Sequence, residues 1–507
     1  MPHMTKMNNT ETAYSNLIEA LGKVFDLTTS SSLLSWDERV NLPKAPECAK
    51  LRGRQLSTLA AVIHEASTAP VIKESLETLE KEQDKLTFDQ KVVLREARRD
   101  YELKANLPQH FVAEKTKASS EAFHAWAKAR EASDFSQFAP HLERNLELAK
   151  QESAYQGFEK NPYDYWIDQF APGVKTARIE ELFSELKEGL LPLLKTVLES
   201  ENKASASILK GFPIEKQRSF LVDVTQQIGF DYNRGRIDVA LHPFCSGSAS
   251  DLRMTTRFNE DTPLDSLYNS IHEAGHGIYE QGLILETEGT PLSQAAGIAI
   301  HESQSRLWEN QVSRSRAFWK HWEPKYRACF KEQLEGIDTE TLYRAINAVE
   351  LSPIRVDSDE LTYNLHIILR FTLEKQLFAG ELSVAELPEA WNSLTEELLG
   401  FTPKNDKEGV LQDIHWSWGY FGYFPTYCLG NMTAAQLWEV IQKEIPNLEE
   451  QIAQGEYAPL LSWLRKNIHE QGKRYRTLDL IEHVTGKPLS PKPLIAYLKT
   501  RYLPLYS

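Results

Sequence analysis

The chain has 507 residues, 41% of them hydrophobic and 25% charged, so it is long enough for a large buried core and ordinary in composition for a globular protein. Its formal net charge of −15 argues against binding to nucleic acid or to an anionic membrane surface. No stretch reaches the ~20 apolar residues of a membrane span, and residues 1–13 lack the apolar run of a signal peptide. The four cysteines lie far apart without a C-x-x-C pair, which is typical of a reducing compartment. We therefore expect a cytoplasmic protein with no nucleic-acid or membrane partner.

Helical patterns predominate in the first 200 residues. Residues 11–27 suggest a helix, and a further helical stretch follows until Pro43 stops it. Residues 87–90 (Thr-Phe-Asp-Gln) read as a capping box that opens another helix, which ends near Pro108. Thr176 is predicted to cap a long helix with regularly spaced leucines.

The helical rhythm is interrupted between residues 236 and 258. Residues 236–241 and 251–258 both alternate largely between polar and apolar side chains, with a Ser/Gly-rich turn between them. They predict a small hairpin-like sheet, which either offers an extended peptide an edge to pair with or is structural decoration. Helical patterns return after residue 271 and continue to the C-terminus. With no repeat or flexible linker, we expect one intertwined unit, 1–507, whose motif-bearing catalytic region is 236–430.

The strongest motif is the run His272-Glu273-Ala274-Gly275-His276. On a helix the two histidines leave from one face, one turn apart, so both can bind one zinc ion while Glu273 approaches a metal-bound water as general base. The alternative is an ordinary solvated helix face. Gly275 and Gly277 argue against it, because each destabilises a helix interior and only close approach of another element or a substrate requires them.

The third zinc ligand has to come from elsewhere in the chain, because a catalytic zinc usually has three protein ligands and one open position. Glu302 is the best candidate, since a turn-rich connection after the metal helix lets a second helix pack back against the first. His301 is the rival, and Glu280 lies too far along the metal helix to share the ion easily.

Two later stretches carry candidate substrate-binding residues. The planar guanidinium of Arg355, helped by Arg253, matches the free carboxylate of a peptide C-terminus, although an ordinary salt bridge is the commoner role for a single arginine. His415 or Tyr423, in an aromatic and glycine-rich run that is otherwise typical of core, can donate a hydrogen bond to the oxyanion of a tetrahedral intermediate.

Six stretches, in order, resemble the carboxypeptidase Taq family of zinc metallocarboxypeptidases. They are His242-Pro243-Phe244, the D-x-R-x-T of residues 251–255, the H-E-x-x-H of residues 272–276, His301-Glu302-Ser303-Gln304, Ile354-Arg355 with Asp359, and the G-x-x-Q-D-x-H-W of residues 409–416. Weaker similarity, as at Leu34-Ser35-Trp36-Asp37, extends the resemblance over essentially the whole chain.

The resemblance implies a mainly α-helical molecule of two lobes flanking a deep substrate groove, with a small β-sheet near the metal helix. It implies removal of single residues from peptide C-termini with broad preference that disfavours proline, zinc as cofactor with cobalt able to substitute, and a homodimer. By position, His272, His276 and Glu302 match the family's metal ligands and Glu273 its catalytic glutamate.

The same resemblance places Arg253, Arg355, His242, His415 and Tyr423 in segments used for the substrate end of the groove. The loop at residues 245–250 departs from the more glycine-rich family version, which leaves its mobility and closure over substrate open.

Three other functions compete with this hypothesis. An endopeptidase or a dipeptidyl carboxypeptidase shares the same metal chemistry, and a catalytically inactive helical binding protein has a vestigial or absent metal site. An aminopeptidase needs an acidic anchor for the peptide amine, and no motif singles one out.

Overall fold

A computed structural model describes residues 9–507 and shows a mainly α-helical chain. The polar start of the chain, residues 1–8, lies outside the described residues. The α-helices are α1 (Asn9–Val40), α2 (Pro46–Ser67), α3 (Pro70–Lys81), α4 (Phe88–Ala105), α5 (Gln109–Ala132), α6 (Ala139–Tyr155), α7 (Pro162–Phe170), α8 (Thr176–Glu199), α9 (Ile214–Ile228), α10 (Pro263–Glu280), α11 (Ile298–Arg306), α12 (Arg316–Cys329), α13 (Thr339–Ile346), α14 (Glu360–Ala379), α15 (Leu387–Leu399), α16 (Pro425–Glu444), α17 (Leu448–Ala453), α18 (Ala458–Asn467), α19 (Thr477–Thr485) and α20 (Lys492–Tyr506). The strands are β1 (Gly235–Val239), β2 (Cys245–Gly247) and β3 (Leu252–Thr256). The predicted fold class, mainly α with a small sheet near the metal helix, is confirmed.

The apolar side chains form two separate clusters. The larger cluster joins residues from α5 through to α20 and includes the buried face of α10. The smaller one joins apolar residues of α1, α3 and α4 near the start of the chain. Among the residues of the structure from 9 onwards, no helix is long and apolar enough to cross a membrane.

The helix starts that the sequence predicts are partly right. The capping box is confirmed, because the Thr87 hydroxyl accepts from the Gln90 amide while the Gln90 side chain accepts from the Thr87 amide. The predicted cap at Thr176 is wrong. Thr176 is the first residue of α8, and its amide and hydroxyl both donate to Asp164 Oδ1, at 2.7 and 2.6 Å. A carboxylate from α7 therefore satisfies this helix start, a partner twelve residues away that local pattern does not reveal.

The predicted hairpin is also wrong, although both of its strands exist. β1 runs parallel to β3, and the short β2 between them in sequence pairs antiparallel with β3, so the sheet order is β1-β3-β2. The extra strand reverses the chain twice between β1 and β3, which leaves these two pointing the same way. β2 is hydrogen-bonded on one side only and so forms one edge of the sheet.

Close backbone packing holds α10 and α11 together. α10 buries Ile271, Ala274 and Ile278, and a Cβ added at Gly275 would lie 2.6 Å from the Ser305 Cα of α11. A Cβ at Gly430 of α16 would lie 2.5 Å from the Glu302 Cγ of α11. The predicted close approach at Gly275 is therefore confirmed. The two glycines let α10 and α16 each pack closely against α11.

We predict that Gly275→Ala destabilises the protein by about 1–3 kcal/mol, because the added methyl group meets backbone atoms that no side-chain rotation can move. Thermal or urea unfolding in the presence of a chelator measures this change without a contribution from bound metal. The matched control is Gly53→Ala in α2, where a Cβ has no neighbour within 4 Å. Alanine there should stabilise the helix by up to ~1 kcal/mol. Equal unfolding midpoints for Gly275→Ala and the parent would contradict the packing described.

Candidate metal centre

Two histidines of α10 and one glutamate of α11 converge on one point. One potential ligand atom from each of His272, His276 and Glu302 lies within 4.8 Å of the other two. The Nε2 atom of each histidine is 3.5 Å from Glu302 Oε2. Two imidazole nitrogens and one carboxylate oxygen form a donor set that zinc takes in catalytic sites. The residues present therefore fit a divalent ion, and residues 9–507 contain no second group of this kind.

The far side of each imidazole is held by a hydrogen bond. His272 Nδ1 lies 2.8 Å from Glu309 Oε2, and His276 Nδ1 lies 2.6 Å from His301 Nδ1. A histidine that offers an Nε2 lone pair to a metal must carry its proton on Nδ1. His276 would then donate to His301, whose own proton lies on Nε2 and is donated to Glu280 Oε1 at 2.8 Å. The rival ligand His301 thus lies behind His276, with both ring nitrogens engaged.

The buried Glu302 and the partly buried Glu309 both lie beside arginines. Arg306 Nε donates to Glu302 Oε1 at 2.6 Å, and its Nη1 donates to Glu309 at 3.2 Å. Burial alone would raise the pKa of Glu302, but Arg306 and the two histidines hold it well below its usual value. Burial opposes ionisation of Glu309 as well, yet Arg306 and His272 lower the pKa of Glu309 to about 2. Burial lowers the pKa of His276 to about 3. Without metal, the centre holds two carboxylate anions and a neutral His276 at neutral pH.

Glu273 lies beside this cluster with its carboxylate uncommitted. It is 8% exposed, and within the described part of the chain its carboxylate has no hydrogen-bond partner. Burial raises the pKa of Glu273 to about 7. Glu273 and His272 line a cavity of about 420 Å³ whose wall also includes His242, Arg355 and Tyr427. We call this space the Arg355 cavity.

Arg355 faces the Arg355 cavity and is also part of a buried ion pair. Its Nε and Nη2 donate to Asp413 Oδ1 at 3.0 and 2.7 Å, and its Nη1 donates to the Tyr363 hydroxyl at 2.8 Å. Asp413 accepts a further hydrogen bond from Arg370 Nε at 2.7 Å. One carboxylate between two guanidinium groups leaves one positive charge uncompensated. The salt bridge that competed with substrate binding in the sequence analysis is therefore present, and it still leaves positive charge at the cavity wall.

The remaining candidate residues lie at different distances from this cavity. Arg253 is not among its lining residues; the guanidinium pairs with Asp251 at 3.0 Å and lies 4.4 Å from the ring centre of Trp36 in α1. The ring centres of His415 and Tyr423 are 5.3 Å apart.

Tyr427 connects His415 and Tyr423 to the Arg355 cavity. The Tyr427 hydroxyl lies 3.3 Å from His415 Nε2, and the Tyr423 and Tyr427 ring centres are 5.3 Å apart. Burial lowers the pKa of His415 to about 3, so this imidazole is neutral. Its buried Nδ1 has no hydrogen-bond partner in residues 9–507. Both side chains thus lie one residue behind the cavity wall.

Sequence reasoning missed Glu309, which supports His272. Glu309 follows Glu302 by seven residues, a spacing that brings two residues to one side of a helix and was the available signal. The segment Leu307–Val312 that carries it is a π-helical turn directly after α11, and such turns are frequent at functional sites. The sequence indicated neither this turn nor the role of Asp413 as the partner of two arginines.

Comparisons with known proteins agree with the family resemblance of the sequence motifs. A family model described as "Carboxypeptidase Taq (M32) metallopeptidase" matches residues 16–502. The chain is 42% identical to thermostable carboxypeptidase 1 of Thermus thermophilus, covering 98% of this chain and 99% of that protein. It is 39% identical to carboxypeptidase 1 of Bacillus subtilis, covering 96% and 97%. A crystal structure of an M32 carboxypeptidase from Deinococcus radiodurans R1 superposes with a TM-score of 0.94 at 38% identity, covering 98% of this chain and 99% of that one.

We predict that Glu309→Gln weakens metal binding about tenfold or more, because partners behind ligating histidines typically contribute 10–100-fold to metal affinity. The amide keeps the size of the side chain but loses the charge that orients and polarises His272. Competition with a chromophoric chelator measures the dissociation constant directly. Glu188→Gln, an exposed position on α8, is the matched control. Identical affinities in the two variants would show that Glu309 does not support the site.

Proposed function

Since the chain belongs to the carboxypeptidase Taq (M32) family of metallopeptidases, we propose that it releases amino acids one at a time from the C-termini of peptides. The family makes it a metallocarboxypeptidase, a hydrolase of peptides that uses a divalent metal. The observation that supports single-residue release is the position of Arg355, which lines one cavity together with His272 and Glu273. Broad residue preference, weak cleavage of C-terminal proline and a homodimer are proposals that rest on the family resemblance.

Zinc is the metal that we propose, with cobalt able to replace it. His272 and His276 would hold it through Nε2 and Glu302 through Oε2, the atoms that converge in the structure. When bound, such an ion supplies Lewis acidity to the scissile carbonyl and to the attacking water. Arg306 keeps Glu302 ionised and holds its second oxygen, so one oxygen stays directed at the two imidazoles.

Glu273 is the residue that we propose as general base. Its carboxylate adjoins the metal-ligand cluster, lines the cavity and has no hydrogen bond to give up within the described residues. It takes the proton from the attacking water and then delivers it to the leaving amine, the two transfers that peptide hydrolysis requires. The low exposure of Glu273 limits the competition of bulk water for these protons.

Arg355 is proposed to bind the terminal carboxylate of the peptide. A guanidinium with uncompensated positive charge can accept a carboxylate partner without leaving a buried anion unpaired. Tyr363 and Asp413 hold this guanidinium in place, so binding does not have to order a flexible side chain. For the oxyanion of the tetrahedral intermediate, His415 and Tyr423 both remain candidates, since each contacts Tyr427 at the cavity wall.

The base assignment predicts that Glu273→Gln retains bound metal and loses about 10²–10⁴-fold in kcat, the range of contributions from general acid–base groups. The amide is close in size to the carboxylate and cannot accept the proton. Metal content per chain and peptide turnover are measured on the same preparation. Turnover near the parent level in the metal-loaded variant would refute the assignment.

The carboxylate assignment predicts that peptides with a free C-terminus are cleaved and the same peptides amidated at the C-terminus are not. Arg355→Gln should lower kcat/KM on free acids about ten- to hundredfold, since hydrogen bonds to charged groups contribute about 1.5–3 kcal/mol. Arg316→Gln, an exposed arginine outside the Arg355 cavity, is the matched control. Arg253→Gln in the same assay tests the second predicted arginine. Efficient cleavage of amides, or release of dipeptides, would instead support an endopeptidase or a dipeptidyl carboxypeptidase.

A further inference from the structure

A second cavity lies beside the metal centre, on the side of His301. It has a volume of about 390 Å³, and its wall includes His301 and Glu280 together with Phe170 of α7. His301 Nδ1 is 2.6 Å from His276 Nδ1, so a single side chain separates this space from a proposed metal ligand. We call it the His301 cavity. The proposed mechanism assigns it no role.

The two cavities lie on either side of the same group of rings. Phe170 in the wall of the His301 cavity has its ring centre 4.9 Å from that of Tyr423. The ring centre of Tyr423 is in turn 5.3 Å from that of Tyr427, which lines the Arg355 cavity. If the last residue of a peptide occupies the Arg355 cavity, the preceding residues have to leave past the metal centre. The His301 cavity is a space of suitable size on the other side of this centre.

Part of the charge in the wall of the His301 cavity is already paired. Arg99 donates to Asp168 at 2.9 Å, and the buried Glu96 accepts from Arg95 at 2.7 Å. Glu280 accepts the hydrogen bond from His301 described above. Because these groups are already paired, they contribute less to substrate selection than unpaired charges would.

Two cations in the same wall have no partner among residues 9–507. The side chains of Lys473 and Arg476 make no hydrogen bond or ion pair with any residue that the structure describes. The Lys473 backbone is held at both ends, its amide by Pro291 O at 3.1 Å and its carbonyl by Arg95 Nη2 at 2.6 Å. In a chain with a net charge of −15, two unpaired cations at one cavity are ready partners for an anion.

We propose that the His301 cavity binds the peptide residues that precede the scissile bond, and that Lys473 and Arg476 favour acidic side chains there. Ammonium and guanidinium groups both bind carboxylates, and neither has to break an existing ion pair to do so. The proposal rests on the proposed function, since it places the C-terminal residue in the Arg355 cavity. Glu280, on the metal helix, also lines this cavity, and its negative charge disfavours an acidic side chain close to the metal. The selected acidic residue therefore lies further upstream than the residue next to the scissile bond.

Three acetylated pentapeptides test this, acetyl-Gly-Xaa-Xaa-Ala-Leu with glutamate, glutamine or lysine at both Xaa positions. We expect kcat/KM for leucine release to be highest with glutamate and lowest with lysine, with about a threefold to tenfold span from two solvent-accessible ion pairs. The span should shrink at 1 M salt, where such pairs are screened. In the double variant Lys473→Glu/Arg476→Glu the order should reverse.

The matched control is Lys466→Glu/Lys499→Glu, which makes the same change in net charge at exposed positions outside both cavities. It should keep the parent order of the three peptides. Equal rates in the parent, or an unchanged order in the Lys473/Arg476 variant, would overturn the subsite while leaving the carboxypeptidase function intact. No leucine release from any of the three peptides would reject the proposed function, and the subsite with it.

Discussion

The site depends on keeping two carboxylates ionised inside the protein. Glu302 is buried and Glu309 is partly buried, and Arg306 donates to each of them. An unpaired buried carboxylate would take up a proton rather than pay the cost of desolvation. The positive charge of Arg306 prevents this protonation. Glu302 therefore keeps a charged oxygen free for the two imidazoles, and Glu309 keeps an acceptor for His272. The proposed metal site thus depends on the ion pairs of Arg306 with Glu302 and Glu309.

Backbone proximity is the second requirement. Gly275 lets the backbones of α10 and α11 pack closely, and Gly430 of α16 leaves room for the Glu302 side chain, so the short carboxylate of Glu302 reaches the histidines. The π-helical turn Leu307–Val312 then places Glu309 behind His272. The two glycines and the π-helical turn each destabilise the helices that contain them, since both weaken regular α-helix. Their cost is offset by the large apolar core that joins these helices.

Arginines lie next to several of the carboxylates around the centre. The molecule is strongly acidic, and carboxylates outnumber arginines in the wall of the Arg355 cavity. Arg306 and Arg314 pair there with Glu309, and Arg355 pairs with Asp413. Asp413 shows the pattern clearly, because one carboxylate between Arg355 and Arg370 rigidifies both while leaving a net positive charge. A substrate that ends in a carboxylate completes this arrangement. The same reasoning, applied to Lys473 and Arg476, extends it to the peptide upstream of the scissile bond.

The sequence by itself determined what short-range geometry controls. The helix fixes the angle between residues four apart, so the pairing of His272 with His276 and the side on which Glu273 leaves were readable without coordinates. The capping box at Thr87 and the helical class of the chain were readable for the same reason. The six motifs, which occur in order along the chain, indicated the family.

Only the tertiary structure decided which distant groups meet. The parallel pairing of β1 with β3, the Asp164 carboxylate at the start of α8, the Glu309 support of His272 and the division of Asp413 between two arginines all join separate turns or elements. Arg253, which the sequence predicted to help Arg355 bind the carboxylate, lies against Trp36 instead. A charged side chain has no preferred partner in its local sequence, and the packing of the helices determines which opposite charge it reaches.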